Sequence, residues 1–352
     1  MAKRRRPEAG DTLRLAGAVA IVAGATRGAG RGIARALAEA GAIVYCTGRS
    51  VRGHPSPYQR PETIEETAEM ITAQGGTAVA VRVDHTVEAE VKALIERVER
   101  ERGRLDVLVN SLAGEDPRMG PWTSFWTADL THGEEIIRQA LLSHLITAKH
   151  AAAFMIKRQS GLLVEVTEND LLLASGNIVT QIVKLSQKAV AAMWAAELRK
   201  YGVAALAITP GFLRSETMLE RFGVTEENWR EAGKKDKNFL ESESPLFVGR
   251  AIAALAQDPN LLQRSGHLFS SWDLGREYQL TDADGRRPDW GALDVDYSRL
   301  PAFLVDALRD ALQMQSEWLK VLSSRTEQYR TTFLKKVGPA RSQEKDRAAT
   351  RL

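Results

Sequence analysis

The segment Gly24-Ala25-Thr26-Arg27-Gly28-Ala29-Gly30 constrains this chain most, because it joins the apolar run Val19–Ala23 directly to a helical pattern opening near Arg31. Closely spaced glycines between a strand and a helix let the backbone turn sharply and approach a bound group. The first amides of the helix, and its dipole, then face that group, which suits an anion such as a pyrophosphate. The spacing here is Gly-x-x-x-Gly-x-Gly rather than the more general Gly-x-Gly-x-x-Gly.

Five further apolar runs follow: Ile43–Thr47, Thr77–Val83, Leu105–Val109, Leu162–Val166 and Val203–Ile208. They are nearly continuous rather than alternating, the pattern of strands in a parallel sheet covered on both faces. Helical patterns between them end at Gly41, Gly75-Gly76, Gly103 and Gly202, where a left-handed C-terminal residue is wanted. This alternation predicts a Rossmann-type α/β fold, a doubly wound parallel sheet with ligands at the carboxyl ends of its strands. A helix around Phe247–Ala256 and a strand around His267–Ser271 would complete it.

The remaining boundaries are a basic tail over 1–14, a dinucleotide-binding and catalytic domain over 15–300, a C-terminal helical extension over 301–337 and a flexible tail over 338–352. The extension is read from Leu304, Leu308, Leu312, Leu319 and Leu322, which recur at helical spacing after Pro301. No run reaches the roughly 18 apolar residues of a membrane span, and the basic start lacks the apolar core of a secretion signal. A non-membrane, cytoplasmic protein is expected. The net charge of +3, with basic residues dispersed apart from the N-terminal run, argues against nucleic acid as a partner. A single cysteine, Cys46, lies in an apolar run and excludes an intrachain disulfide or a cysteine metal cluster. Asp282, Asp284 and Gly285 match part of a calcium loop, but the closing Glu is absent and no metal is expected.

The glycine motif, with the strand order after it, resembles the short-chain dehydrogenase/reductase family from about Ala16 to Trp290. Asp84 follows the third strand, where the family places an Asp against adenine. Asn110 opens Asn110-Ser111-Leu112-Ala113-Gly114, a loosened form of the family's Asn-Asn-Ala-Gly. Thr209-Pro210-Gly211 resembles the turn that contacts the nicotinamide, with Ser215 at the usual hydroxyl position. Within the family, Asp258-Pro259-Asn260, Trp272-Asp273-Leu274 and Asp282–Arg286 are most similar to the branch of dehydrogenase/reductase member 1. The resemblance implies a cofactor site of Gly24, Thr26, Arg27, Gly28, Gly30, Arg49, Asp84, Asn110, Lys184, Pro210, Gly211 and Ser215, and a homodimer or homotetramer built through the helices carrying Gln139 and Lys184.

The second strand ends in Thr47-Gly48-Arg49-Ser50, where NAD enzymes generally offer an acid to the ribose hydroxyls. Arg49 offers a guanidinium fork suited to a 2′-phosphate, and Arg27 flanks the same place, so NADP(H) is expected.

The catalytic pattern departs from the family. The resemblance puts Lys184 in the lysine position, and four residues earlier stands Thr180 where the family has Tyr. Residues i and i+4 share a helix face, but an aliphatic alcohol is harder to deprotonate than a phenol by roughly 5 pKa units, about 7 kcal/mol. The family's serine position falls at Thr167 or Glu168, and the relay asparagine at Gln139. Glu168 or Asp170, with a pKa raised by burial, is a candidate replacement acid; an exposed acidic loop is the plainer reading. His144 reads as a packed helix residue. Trp122, Phe125 and Trp126, and then Phe212, Leu213, Met218 and Phe222, lie in segments that line the family's substrate pocket, which points to an apolar or aromatic small molecule. Three functions compete: an NADP(H)-dependent oxidoreductase on a carbonyl or alcohol, a catalytically silent NADP(H)-binding partner protein, and a redox-neutral reaction using the dinucleotide.

Overall fold

The apolar runs fold into seven strands of one sheet, with alternate side chains turned to opposite faces; the central strands are buried on both faces and the edge strand Thr77–Arg82 only partly. They are β1 (Val19–Ala23), β2 (Ile43–Gly48), β3 (Thr77–Arg82), β4 (Val107–Asn110), β5 (Gly161–Val166), β6 (Val203–Thr209) and β7 (Leu268–Ser270). In this computed structural model residues 15–55, 59–112, 125–168 and 177–293 are described, with 313, 320, 324–328 and 331.

All strands are parallel, in the order β3-β2-β1-β4-β5-β6-β7. The order reverses between β1 and β4, so the chain leaves these neighbours in opposite directions and opens a crevice at their carboxyl ends. The register brings Ala23 level with Thr47 on β2 and with Asn110 on β4, so the loops after all three strands begin at one height.

The connecting helices are α1 (Gly28–Glu39), α2 (Ile64–Ala73), α3 (Glu88–Arg102), α4 (Gly133–Ile137), α5 (Ser143–Arg158), α6 (Ile178–Leu198), α7 (Glu216–Phe222), α8 (Pro245–Ala256), α9 (Leu261–Arg264) and α10 (Ser271–Tyr278). Ala20, Val22, Val44, Val109 and Val164 pack with Ile33 and Leu37 of α1 and Val248 and Ile252 of α8. Val19, Ile21, Tyr45, Leu108 and Leu163 turn to the opposite face, against Leu94 and Val98 of α3, Ala151 and Phe154 of α5 and Leu198 of α6. Two buried faces explain why these strands read as unbroken apolar runs. Cys46 is fully buried, and desolvation pushes its thiol up to about 12.

Some ends differ from the sequence expectation for local reasons. β4 begins at Val107, because Asp106 turns its carboxylate to the amide of Val19 at 2.8 Å. α8 starts two residues early, since Ser244 caps it and Pro245 fits the first turn, where no amide is needed. β7 stops at Ser270, whose side chain caps α10. Gly103 and Gly202 adopt left-handed conformations at helix ends, as expected.

The chain forms two units, 1–294 and 295–352. The expected tails over 1–14 and 338–352, and the five leucines of the expected C-terminal helix, lie outside the described residues; 313, 320, 324–328 and 331 are helical. No described helix is long and apolar enough to cross a membrane.

Candidate active site

The glycine loop packs against the backbone after β4 and against its own. A Cβ on Gly24 would lie 2.2 Å from the carbonyl oxygen of Ser111, and one on Gly30 would lie 2.1 Å from that of Gly24. The Gly24 and Ala25 amides both donate to Thr47 O, at 2.9 and 3.0 Å, which ties the loop to the end of β2. Thr26 is buried, and its carbonyl accepts from Arg31 Nε at 3.0 Å. Arg27 stands at the N-cap position just before α1, but its side chain caps nothing. A carboxylate from α7 takes that place: Glu216 Oε2 accepts from the Gly28 amide at 2.7 Å, and Oε1 lies 3.4 Å from Arg31 Nη1. An anion of the protein's own thus occupies the helix N-terminus where the sequence predicts an anion.

Three arginines stand at the β2 side of the crevice. Arg49 is about one-third exposed, with Nη1 3.8 Å from Asp84 Oδ2. Burial pushes the Asp84 carboxyl up, but hydrogen bonds from Thr86 and the charge of Arg49 outweigh it and hold the pKa below its ordinary value. Arg60 reaches Glu62 through Nε at 3.1 Å and Glu220 of α7 through Nη2 at 3.0 Å. Glu62 is buried and also feels the charge of Arg27. Arg60, Glu62 and Glu216 were not legible as site residues, because each belongs to an ordinary polar loop or helix start.

Deeper in the crevice β4, β5, α5 and α6 converge. Asn110, almost fully buried, donates from Nδ2 to Glu165 Oε1 at 2.6 Å and to the His144 carbonyl at 3.3 Å. Glu165 Oε2 stands 2.5 Å from His144 Nδ1, with both side chains completely buried. His85 lies between Thr47 Oγ1 at 2.8 Å and Thr147 Oγ1 at 2.9 Å; desolvation, helped by the charge of His144, pulls its pKa down to about 3. Glu165 escaped notice in the sequence, although a lone acid inside the run Leu162–Val166 was the available signal.

Lys184 is half-buried, and desolvation lowers its pKa against the opposing charges of Glu168 and Glu165. Thr180 does share its helix, but its hydroxyl donates to Asn177 Oδ1 at 3.2 Å as part of the N-terminal cap of α6. The Thr167 hydroxyl donates to the Lys184 carbonyl at 3.1 Å. Both hydroxyls are therefore engaged within the protein, one by a side chain and one by a backbone carbonyl. Glu168 is exposed; Asp170 and Trp122 lie outside the described residues. Gln139 sits in a single π turn, Arg138–Leu142, between α4 and α5, a device frequent at functional sites.

The Pro210-Gly211 turn is held from below. The Gly211 amide donates to Glu243 Oε2 at 3.0 Å and to Ser271 Oγ at 3.2 Å, and burial pushes the Glu243 carboxyl up to about 8. Ser215 caps α7. Phe212 packs against Phe222, Phe239 and Trp290, while Phe125 and Trp126 are exposed and meet edge to face. Of the expected pocket aromatics, Phe212 and Phe222 therefore serve packing. Asp282 is buried against Ser244 and Arg214, and Asp284 pairs with Arg286, which accounts for these acids without a cation.

A family profile for short chain dehydrogenase matches residues 18–223. The chain belongs to the short-chain dehydrogenase family. It is 37% identical over 275 residues to mouse dehydrogenase/reductase SDR family member 1, covering 77% of this chain and 84% of the relative. It is 35% identical over 274 residues to the human protein of that name, with the same coverage, and sits in that branch. A Beutenbergia cavernae structure, assigned as an NAD(P) dependent gluconate 5-dehydrogenase with NADP bound at low occupancy, superposes with a TM-score of 0.59 at 25% identity, over 74% of this chain and 97% of that one. The family uses NAD(P) and acts on small molecules, and a general oxidoreductase role follows.

Proposed function

We propose that this protein is an NADP(H)-dependent oxidoreductase acting on a carbonyl or alcohol, with a proton donor other than the family tyrosine. The observation that carries this reading is the crevice between β1 and β4, where the packed glycine loop carrying Arg27 opens α1, with Arg49 just beyond β2 beside Asp84. The residues fit the dinucleotide: Gly24, Thr26, Gly28 and Gly30 would cradle the pyrophosphate, Arg27 and Arg49 the 2′-phosphate, and Asp84 the adenine. Asn110, Lys184, Pro210, Gly211 and Ser215 would line the nicotinamide end. When bound, NADPH supplies the hydride. Lys184 would hold the ribose and place an ammonium near the reacting oxygen.

The engagement of the Thr180 hydroxyl by Asn177 favours a second reading, a silent NADP(H)-binding partner protein. NADPH oxidation over a broad carbonyl panel separates the two once binding is shown. Turnover that is abolished in Lys184→Ala supports the enzyme; binding without turnover for any substrate supports the partner.

Charge-assisted hydrogen bonds to a phosphate contribute about 1.5–3 kcal/mol, so Arg49→Ala should weaken NADPH roughly 10- to 100-fold while changing NADH little. Fluorescence titration of both reads this out, and equal losses would remove Arg49 from the 2′-phosphate. Glu216→Gln should tighten dinucleotide binding several-fold, since the carboxylate on the Gly28 amide repels an incoming pyrophosphate. A weaker complex would instead make Glu216 a support of the bound state.

A cytoplasmic homodimer or homotetramer completes the proposal. Ile182, Leu185 and Met193 of α6 are exposed at 45%, 41% and 62%, an apolar face suited to a second copy.

A further inference from the structure

Loss of the tyrosine leaves the proton without an owner, and the inference here rests on the oxidoreductase reading above. Burying an ionisable acid and an imidazole costs several kcal/mol unless they pair, and apolar residues of similar size would fill the space at less cost. The fold nonetheless places Glu165 and His144 in contact under the Asn110 amide, both inaccessible to water. Thr167 follows directly on β5, its amide donating to Ile208 O of β6 at 2.9 Å, and lies two residues beyond Glu165, so the two side chains turn to the same side of the sheet. Thr167 bonds the carbonyl of Lys184, which brings that turn of α6 over the face Glu165 occupies. Among the described residues, His144 Nε2 and Asn110 Oδ1 are buried without a hydrogen-bond partner, so the cluster has polar capacity beyond its internal bonds.

We propose that His144 and Glu165 form a buried proton couple that recharges Lys184. In the loaded couple the imidazole carries protons on both nitrogens against the carboxylate, or the carboxyl carries one against the imidazole. When Lys184 Nζ gives a proton to the substrate oxygen, an N–H bond breaks and an O–H bond forms as hydride from NADPH reduces the carbonyl carbon. The couple then passes one proton to the neutral amine and is left as imidazole and carboxylate, with the Nδ1–H to Oε2 bond intact; after product leaves, a proton taken from solvent by the half-buried Lys184 amine returns to the couple and reloads it. The other titratable groups facing this cluster are Glu168 beside Lys184, and His85, which burial keeps neutral. Asn110 is the positioning residue that holds Glu165 Oε1.

The test follows Lys184 by carbon-13 NMR of the reductively methylated full-length protein, assigned with Lys184→Arg, and His144 by nitrogen-15 NMR, both across pH. An opposite charge at close range moves a pKa by about 1–3 units, so Glu165→Gln should lower the Lys184 midpoint by about one unit or more, with Glu165→Asp restoring part of it. The His144 signal should carry a step at the Lys184 midpoint in the wild type and lose it in Glu165→Gln. An unchanged Lys184 midpoint in both Glu165→Gln and His144→Asn, whatever their melting temperatures, overturns the couple. If Glu165→Gln does not fold, Glu165→Asp and His144→Asn carry the same comparison. Neither measurement needs substrate: coupled titration beside an inactive carbonyl panel overturns the oxidoreductase reading alone, and uncoupled titration beside turnover overturns the couple alone.

Discussion

Glu243→Gln is expected to stabilise the protein by about 3 kcal/mol at pH 7 and to remove most of the fall in its stability between pH 5 and 8. In the unfolded chain this carboxyl ionises with an ordinary pKa, whereas in the folded protein burial pushes it up to about 8. Its folded pKa is raised, so its contribution is complete below the unfolded pKa and is lost as pH rises toward 8. At neutral pH folding must therefore place a proton on Glu243, and glutamine has none to gain. The bonds from the Gly211 amide and the Ser271 hydroxyl both end on Oε2, which the glutamine carbonyl can replace. Oε1 has no protein partner among the described residues, so the new amide group displaces no contact. Denaturant unfolding at pH 5, 7 and 8.5 measures the effect; parallel curves for variant and wild type would mean Glu243 is not neutral in the folded state.

The second large effect separates two glycines of one helix. A Cβ on Gly32 would lie 2.1 Å from the Pro245 carbonyl oxygen, at the seam where α1 crosses α8, and Gly249 faces back toward Gly32 there. Neither contact is with a flexible side-chain end, so the helices must part. Gly32→Ala should cost about 3 kcal/mol net, because overpacking at backbone exceeds the roughly 1 kcal/mol gained in helix propensity. Gly30→Ala meets the loop's own backbone at Gly24 O instead. There the loop must open, and NADPH affinity should fall at least about 100-fold, on the scale of lost charge-assisted bonds, with a smaller drop in melting temperature. Thermal unfolding and NADPH titration of both variants test the division, which fails if the two show the same pattern.

The fold was open to sequence reading because its determinants are local. Strand runs buried on both faces, glycines at helix ends and the spacing from Gly24 to Gly30 are each contained within a few residues. The residues expected to line the cofactor were chosen on the same local grounds, since Arg49, Asp84, Asn110 and Pro210-Gly211 all lie at or just beyond strand ends. Thr180 was read as a neighbour of Lys184, which its spacing allows. Asn177 could claim that hydroxyl only once the start of α6 was set.

Sequence alone determined that the chain would be a doubly wound α/β protein with a glycine loop between its first strand and first helix, an arginine rather than an acid after the second strand, and a threonine four residues before Lys184. Each of these is a statement about residue types at short spacing. Only the tertiary structure decided which acids matter: Glu216 on the Gly28 amide, Glu243 under Gly211 and Glu165 against His144 join residues 188, 32 and 21 positions apart. A carboxylate carries no mark of its partner in the chain. Strand order and helix packing bring the two together and strip away the water that would otherwise screen them, and that gives each pair its chemistry.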